Sequence, residues 1–221
     1  MTCALEVRCS IQLSYTGVSN DQSNPSSVSA ALLAGGRSAR FGSDKARATV
    51  GGGPLIIQNL NHLRTAFDPV WVVGPPPGTY ADLGLTCVAD AQAHQGPMAG
   101  VITALTHRRT QLGEGVCVVV ACDTLLDRPH VEALAALAEK LAPREEPRHA
   151  AAPRGERWQP VFAAYHTRAL PSLTESYAAG DTSLTRWLDA PDTASYPAAF
   201  AGLKTFNTSD ELTRAQKSGP D

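Results

Sequence analysis

The chain has 221 residues, 43% of them apolar and 18% charged, with a formal net charge of -2. That length holds one compact domain with a sizeable core, the composition argues against a disordered or disulfide-stapled chain, and the near-neutral balance argues against the broad basic face that bulk nucleic-acid binding needs. The five cysteines, Cys3, Cys9, Cys87, Cys117 and Cys122, form no Cys-x-x-Cys pair and no zinc-finger spacing, which disfavours a structural zinc and points to reduced thiols in a cytoplasmic protein. No stretch approaches the roughly 18 uninterrupted apolar residues of a membrane span, and the N-terminus lacks a secretory layout, so neither a membrane nor a nucleic acid is an expected partner.

In chain order, residues 1–28 read as a polar, loosely ordered leader, since SNDQSNPSS (Ser19 to Ser27) favours turns. The alternation Leu5, Val7, Cys9, Ile11, Leu13 would also suit a half-buried strand. The domain proper is expected over 29–217, followed by a tail at 218–221. VSAALLA predicts a first strand, then a glycine loop, then a helix over PLIIQNLNHLRTAF with Leu55, Ile56, Leu60 and Leu63 at helical spacing. PVWVV predicts a second strand ending in GPPPG, and GLTCVAD a third. MAGVITALTHRR follows as a helix whose basic end, His107, Arg108 and Arg109, suits a helix C-terminus. GVCVVVACD is the fourth strand, with Cys117 and Cys122 read as small hydrophobes. RPHVEALAALAEKLAP is the next helix, with Pro129 near its start and Pro143 as its stop. PREEPRHAAAPRGERWQPVFAAYH breaks the rhythm and reads as an inserted hairpin or lid. RALPSLTESYAAG and SLTRWLDA are helical patterns, the second packing Leu184, Trp187 and Leu188. A last strand is expected near GLKTF and a terminal helix at NTSDEL, capped by Thr208 or Ser209. Apolar β-branched strands alternating with helices predict an α/β protein: a three-layer αβα Rossmann-like fold, its sheet mostly parallel, with a small inserted hairpin or lid.

In open parallel sheets, ligands bind at the carboxyl ends of the strands, and three motifs fall at such ends. In AGGRSARFGSDKAR, Gly35 and Gly36 let backbone N–H groups form an anion nest, and Arg37, Arg40, Lys45 and Arg47 follow closely. The spacing is neither a P-loop nor the dinucleotide fingerprint. Glycines with several cations after an apolar strand favour a phosphate loop over an ordinary basic turn. In ADAQAHQGPMAG, Asp90 and His94 precede Gly96 and Pro97, at a helix N-terminus that either faces an anion or is a plain cap. In CDT, Asp123 follows the seven apolar residues Val116 to Cys122. A carboxylate there suits Mg²⁺, which takes one or two carboxylates with substrate phosphates. On the residues alone Asp123 equally suits a turn or a cap for the helix before Pro129. The histidines form no constellation with a serine or cysteine nucleophile.

Taken together the motifs resemble the MobA-like molybdenum cofactor guanylyltransferase family of nucleotidyltransferases, over roughly Ser29 to Gln216. Its L-A-G-G-x-S-x-R-M-G-x-D-K loop is matched by Leu33, Ala34, Gly35, Gly36, Ser38, Arg40, Gly42, Asp44 and Lys45, with Phe41 at the methionine. GPMAG is similar to the family's G-P-L-A-G, ACDT to its C-D-T, RWQPVFAAYH to its Q-P strand and FNTSDEL to its N-T-P-E-[DE]-L ending. The resemblance implies that Leu33, Ala34, Gly35, Gly36, Lys45, Asp90, Gly96, Pro97 and Asp123 bind GTP, and that Asp123 holds Mg²⁺. It implies catalysis by Lys45, Arg40 and Asp123, with Asn207 and Gln159 on the side of a molybdopterin-type phosphorylated acceptor. Molybdenum-insertion proteins or recipient molybdoenzymes are implied partners. Two positions depart from the pattern: Gly74 and Thr205 stand where some members carry asparagines. The implied reaction is attack by the acceptor's terminal phosphate on the α-phosphorus of GTP with release of pyrophosphate, catalysed by positioning and charge neutralisation. Two rival readings are a cytidylyltransferase, disfavoured by Gly35 where those relatives read L-A-A-G against Leu33-Ala34-Gly35-Gly36, and a non-catalytic nucleotide-binding module. The leading reading requires Lys45 and Asp123 to face each other across one triphosphate.

Overall fold

The computed structural model describes residues 28–35, 44–50, 52–90, 96–141, 148–190 and 192–197. In chain order these form β1 (Ser29–Leu33), β2 (Thr49–Val50), β3 (Gly53–Pro54), α1 (Leu55–Leu63), β4 (Val70–Gly74), β5 (Cys87–Ala89), α2 (Pro97–Leu112), β6 (Val116–Ala121), α3 (Arg128–Glu139), β7 (Ala150–Arg154), β8 (Phe162–His166), α4 (Leu170–Ala178), α5 (Leu184–Trp187) and β9 (Thr193–Pro197). Seven strands build one sheet in the order β5-β4-β1-β6-β8-β7-β9, while β2 and β3 pair separately. Strands β5, β4, β1 and β6 are mutually parallel, β8 runs against β6 and β7, and β9 is parallel to β7. The mostly parallel three-layer architecture is the one the sequence pattern predicts.

Strand alternation explains the three layers. Ala30 and Leu32 of β1, with Val118 and Val120 of β6, join Ile56, Leu60 and Leu63 of α1 and Val131, Leu134 and Leu137 of α3 in one apolar cluster. Ala31, Leu33, Cys117 and Val119 point the other way, onto Met98, Val101 and Leu105 of α2, Leu170 and Leu173 of α4, Leu184 of α5 and Leu188 just after it. A strand buried on both faces is apolar nearly throughout: β6 is so along its whole length and β1 from Ala30 onward, its buried Ser29 giving its hydroxyl to Val116 O at 3.4 Å.

Two expectations change. The expected hairpin exists, but as β7 and β8 within the main sheet rather than as an insert or lid above it. Ala150, Ala151, Ala152, Ala163 and Ala164 are fully buried there, and such short side chains let helices lie close on both faces. The edge strand β9 at Thr193–Pro197 was not foreseen. The strand expected near GLKTF, the terminal helix at NTSDEL and the leader 1–28, save Val28, lie outside the described residues.

The basic end of α2 is also more specific than a dipole partner. Arg108 is fully buried, and its guanidinium donates to the carbonyls of Gly113 and Val116, tying the helix end to the start of β6. A Cβ on Gly115 would collide with that guanidinium, so the glycine makes room for it. Among the described residues Cys87, Cys117 and Cys122 are free thiols, and no helix is long and apolar enough to cross a membrane.

Candidate active site

The carboxyl ends of β5, β4, β1 and β6 lie side by side, so the loops that leave them share one edge. Ala34 N donates to Val73 O at 2.9 Å and Cys122 N to Leu33 O at 2.9 Å, which carries the pairing beyond the strands themselves. Just past this point Gly35 and Gly74 touch backbone to backbone. A Cβ on Gly74 would stand 2.6 Å from both Cα and N of Gly35, and Gly74 has φ +114°. A Cβ on Gly35 would stand 3.0 Å from Gly74 Cα and 3.3 Å from Asp90 Oδ2. Asp90 therefore leans over a pair of bare glycines, and the glycine at 74, where asparagine was a family alternative, follows from the crossing.

Lys45 and Asp123 meet at this edge: Nζ lies 3.9 Å from Oδ2, with side chains 18% and 30% exposed. Lys45 opens a 3-10 turn (Lys45–Arg47) capped by Asp44, whose Oδ1 accepts from Ala46 N at 3.0 Å. Asp123 lies in the turn after β6, one residue beyond Cys122. Burial pushes its carboxyl above the ordinary value, while Lys45 works in the opposite direction. The alternative reading of Asp123 as a helix cap does not hold, because Asp127 caps α3: its side chain accepts from His130 N at 3.0 Å while His130 Nδ1 accepts from Asp127 N at 3.3 Å. Burial, then the neighbouring Asp123 and Asp44 charges, raise the Cys122 thiol to about 12, so it remains protonated and poor as a nucleophile.

A buried side chain missed in the sequence holds the Asp123 loop. Asn59 of α1 is fully buried and donates Nδ2 to Thr124 O at 2.7 Å and Cys122 O at 3.3 Å, while its Oδ1 accepts from Leu126 N at 3.1 Å. The carbonyls on both sides of Asp123 are thereby fixed to one helix. The available signal was position: Asn59 falls on the inward face marked by Leu55, Ile56, Leu60 and Leu63.

The remaining expected residues divide. Leu33 and Ala34 end β1 at this edge. Gly96 occupies the cap position of α2 with φ +86° and no side-chain cap, and Pro97 begins the helix, leaving the next N–H groups of the first turn for an incoming acceptor. A Cβ on Gly100 would stand 3.2 Å from the Leu33 methyl carbons, so this glycine lets the α2 N-terminus settle onto the end of β1. Gln159 is exposed on the β7–β8 turn, on the same sheet edge, since Ala121 N donates to Val161 O at 2.9 Å. Arg47 departs from expectation: it is engaged with Asp82 and Thr79 rather than standing beside Lys45 as a further phosphate cation. Gly36, Arg37, Ser38, Arg40, Phe41, Gly42, His94, Thr205 and Asn207 lie outside the described residues.

Among the described residues no three His, Cys, Asp or Glu side chains gather around a common point. Asp123 supplies a hard oxygen partly shielded from solvent, a carboxylate that a cation would keep ionised. That suits a Mg²⁺ whose other ligands are phosphate oxygens and water.

Residues 30–195 match the family model described as MobA-like NTP transferase domain. A Pseudomonas putida protein named molybdenum cofactor guanylyltransferase is 34% identical over 187 residues, covering 82% of this chain and 93% of its own. A Nostoc sp. protein named "probable molybdenum cofactor guanylyltransferase" is 34% identical over 165 residues, 73% of this chain and 76% of its own. The crystal structure of molybdopterin-guanine dinucleotide biosynthesis protein A from Archaeoglobus fulgidus superimposes with a TM-score of 0.69 at 24% identity, over 86% of this chain and 98% of that one, a likeness of fold.

Proposed function

Because the chain belongs to the MobA-like NTP transferase family, we propose that it is a molybdenum cofactor guanylyltransferase, transferring GMP from GTP to the terminal phosphate of a molybdopterin-type acceptor. An acceptor phosphate oxygen forms the new bond to the α-phosphorus. The bond from the α-phosphorus to the bridging oxygen breaks, and its electron pair leaves on pyrophosphate. The product is a guanine dinucleotide, with no covalent enzyme intermediate.

The observation that carries this reading is the approach of Lys45 to Asp123, 3.9 Å apart at the carboxyl edge of a parallel sheet. Transfers at phosphorus are accelerated mainly by positioning and by neutralising negative charge. Lys45 supplies a fixed cation for the phosphates, assisted by Arg40. Leu33 and Ala34 carry the glycine loop to this edge, and backbone N–H groups of Gly35 and Gly36, of Gly96 and of the α2 turn beyond Pro97 supply neutral donors. Asp90, over the Gly35–Gly74 pair, orients the nucleoside. Asp123 would hold Mg²⁺, which when bound neutralises phosphate charge and aligns the oxygens. Gln159 and Asn207 are assigned to the acceptor. We place the enzyme over 29–217 of the chain, in the cytoplasm, with molybdenum-insertion proteins or recipient molybdoenzymes as onward partners.

The test is incubation of the full chain with molybdopterin, Mg²⁺ and GTP, CTP or ATP in turn, followed by product mass analysis. A GMP adduct formed preferentially from GTP is the expected result. A preferred CMP adduct would make the chain a cytidylyltransferase, and GTP binding without any product would make it a binding module.

A further inference from the structure

Lys45 rises from a turn of three residues, too short to fix its own position, so its aim depends on what holds that turn. Backbone bonds from Arg47 N to Asp44 O at 3.1 Å and from Ala48 N to Lys45 O at 3.0 Å close it, and the buried Ala46 seats it. Leu55 N donates to Ala48 O at 2.9 Å, and a further hold comes from the segment that follows β4. Arg47 donates Nη1 to Asp82 Oδ2 at 2.6 Å, and Nη2 to Asp82 Oδ1 at 2.8 Å and Thr79 O at 2.7 Å. The same guanidinium lies over the Tyr80 ring, 5.2 Å from its centroid.

Tyr80 is 1% exposed and donates its hydroxyl to Asp44 Oδ1 at 3.2 Å. That oxygen also caps the Lys45 turn through Ala46 N, and Arg47 Nε lies 3.6 Å from the other Asp44 oxygen. We infer that Tyr80, supported by Arg47, is a positioning residue for phosphate binding: by fixing the Asp44 carboxylate it fixes the turn from which Lys45 reaches the site. The inference rests on the nucleotidyl-transfer reading above. Burial, reinforced by Asp44, raises the Tyr80 hydroxyl, so it keeps its proton and remains a donor throughout the working pH range.

A merely structural role is separable from this one. The Tyr80 ring belongs to the apolar core with Leu60, Phe67 and Cys87, and Tyr80→Phe keeps the ring while deleting the one bond at issue. A double-mutant cycle then asks whether the hydroxyl acts through Lys45. Misplacing a phosphate cation costs most where charge builds in the transition state. Tyr80→Phe is therefore expected to lower kcat for pyrophosphate release about 10-fold, to change KM for GTP less than about 3-fold, and to leave Tm nearly unchanged. In a Lys45→Ala background the same change is expected to cost less than about 2-fold, because the lysine it aims is gone. A wild-type rate in Tyr80→Phe, or losses that multiply in the double variant, would overturn the inference. If the wild-type chain releases no pyrophosphate from any triphosphate, it is the catalytic reading that fails. The cycle is then read in the Kd for GTP by calorimetry, where coupling of Tyr80 to Lys45 supports the inference and additivity refutes it.

Discussion

Gly35 and Gly74 show how a single missing methyl shapes the site. At Gly74 a side chain faces two obstacles: the positive φ, which disfavours any L residue by about 1–2 kcal/mol, and the Gly35 backbone 2.6 Å from the Cβ position. Gly78, in the loop that leaves β4, has φ +85° but nothing within 4 Å of its Cβ position. The pair makes a controlled comparison. Gly74→Ala is expected to push the glycine loop away from Asp90, weaken GTP binding by about 10-fold or more, and destabilise the fold by about 2 kcal/mol or more. Gly78→Ala is expected to carry only the backbone strain, with GTP affinity within about 2-fold of wild type. Calorimetric titration with GTP and thermal denaturation measure both, and equal affinities in the two variants would remove the crossing from the account.

At the scale of elements, what was legible in the sequence is what local pattern encodes. Strands β4 and β6, and β1 after Ser29, are unbroken apolar runs, and α1, α2 and α3 carry helical periodicity with proline or glycine at their ends. Strands β7 and β8 were recognised as a hairpin but misplaced, because alanine has weak strand preference and the flanks are charged and proline-rich. Membership of the main sheet is fixed by β8 pairing with β6 more than 40 residues along the chain, a choice no local window contains. The same limit applies to the site. Lys45 and Asp123 could be placed together because each follows a recognisable strand or loop signal. Asn59 and Tyr80 could not, since their partners lie 63 to 67 and 36 residues away. Arg47 was misassigned for a related reason: its charge was visible, but the loop bearing Asp82 that claims it was not.

Across the whole molecule, chemistry and stability occupy opposite edges of the sheet. The carboxyl edge holds glycines, Lys45 and Asp123; the far edge is closed by buried polar groups. There Arg108 binds the β6 entry, Thr167 N donates to Gly115 O at 2.9 Å and Gly115 N to Thr167 Oγ1 at 3.1 Å. His166 ends β8 at that edge, and its Nδ1 accepts from Arg168 N at 3.1 Å. Burial, with further repulsion from Arg168, Arg108 and His149, lowers the His166 pKa from 6.5 to about 4. Between those values the unfolded chain takes up a proton that the folded chain refuses. The contribution is therefore fully present above pH 6.5 and is lost as pH falls towards 4, with a ceiling of about 3 kcal/mol. Urea unfolding midpoints are expected to fall between pH 7 and pH 4.5, and His166→Asn, which still offers an acceptor to Arg168 N, is expected to flatten that fall. An unchanged pH slope in the variant would exclude His166 as its source.

Whether Lys45 and Asp123 act on one triphosphate is decided by Mg²⁺-dependent pyrophosphate release from GTP and molybdopterin in Lys45→Ala and Asp123→Asn, with thermal denaturation in parallel. Each variant is expected to stay folded and to lose about 10²- to 10³-fold in kcat, as removal of one preorganised charge-stabilising group does elsewhere. Near-wild-type turnover in either folded variant would contradict it.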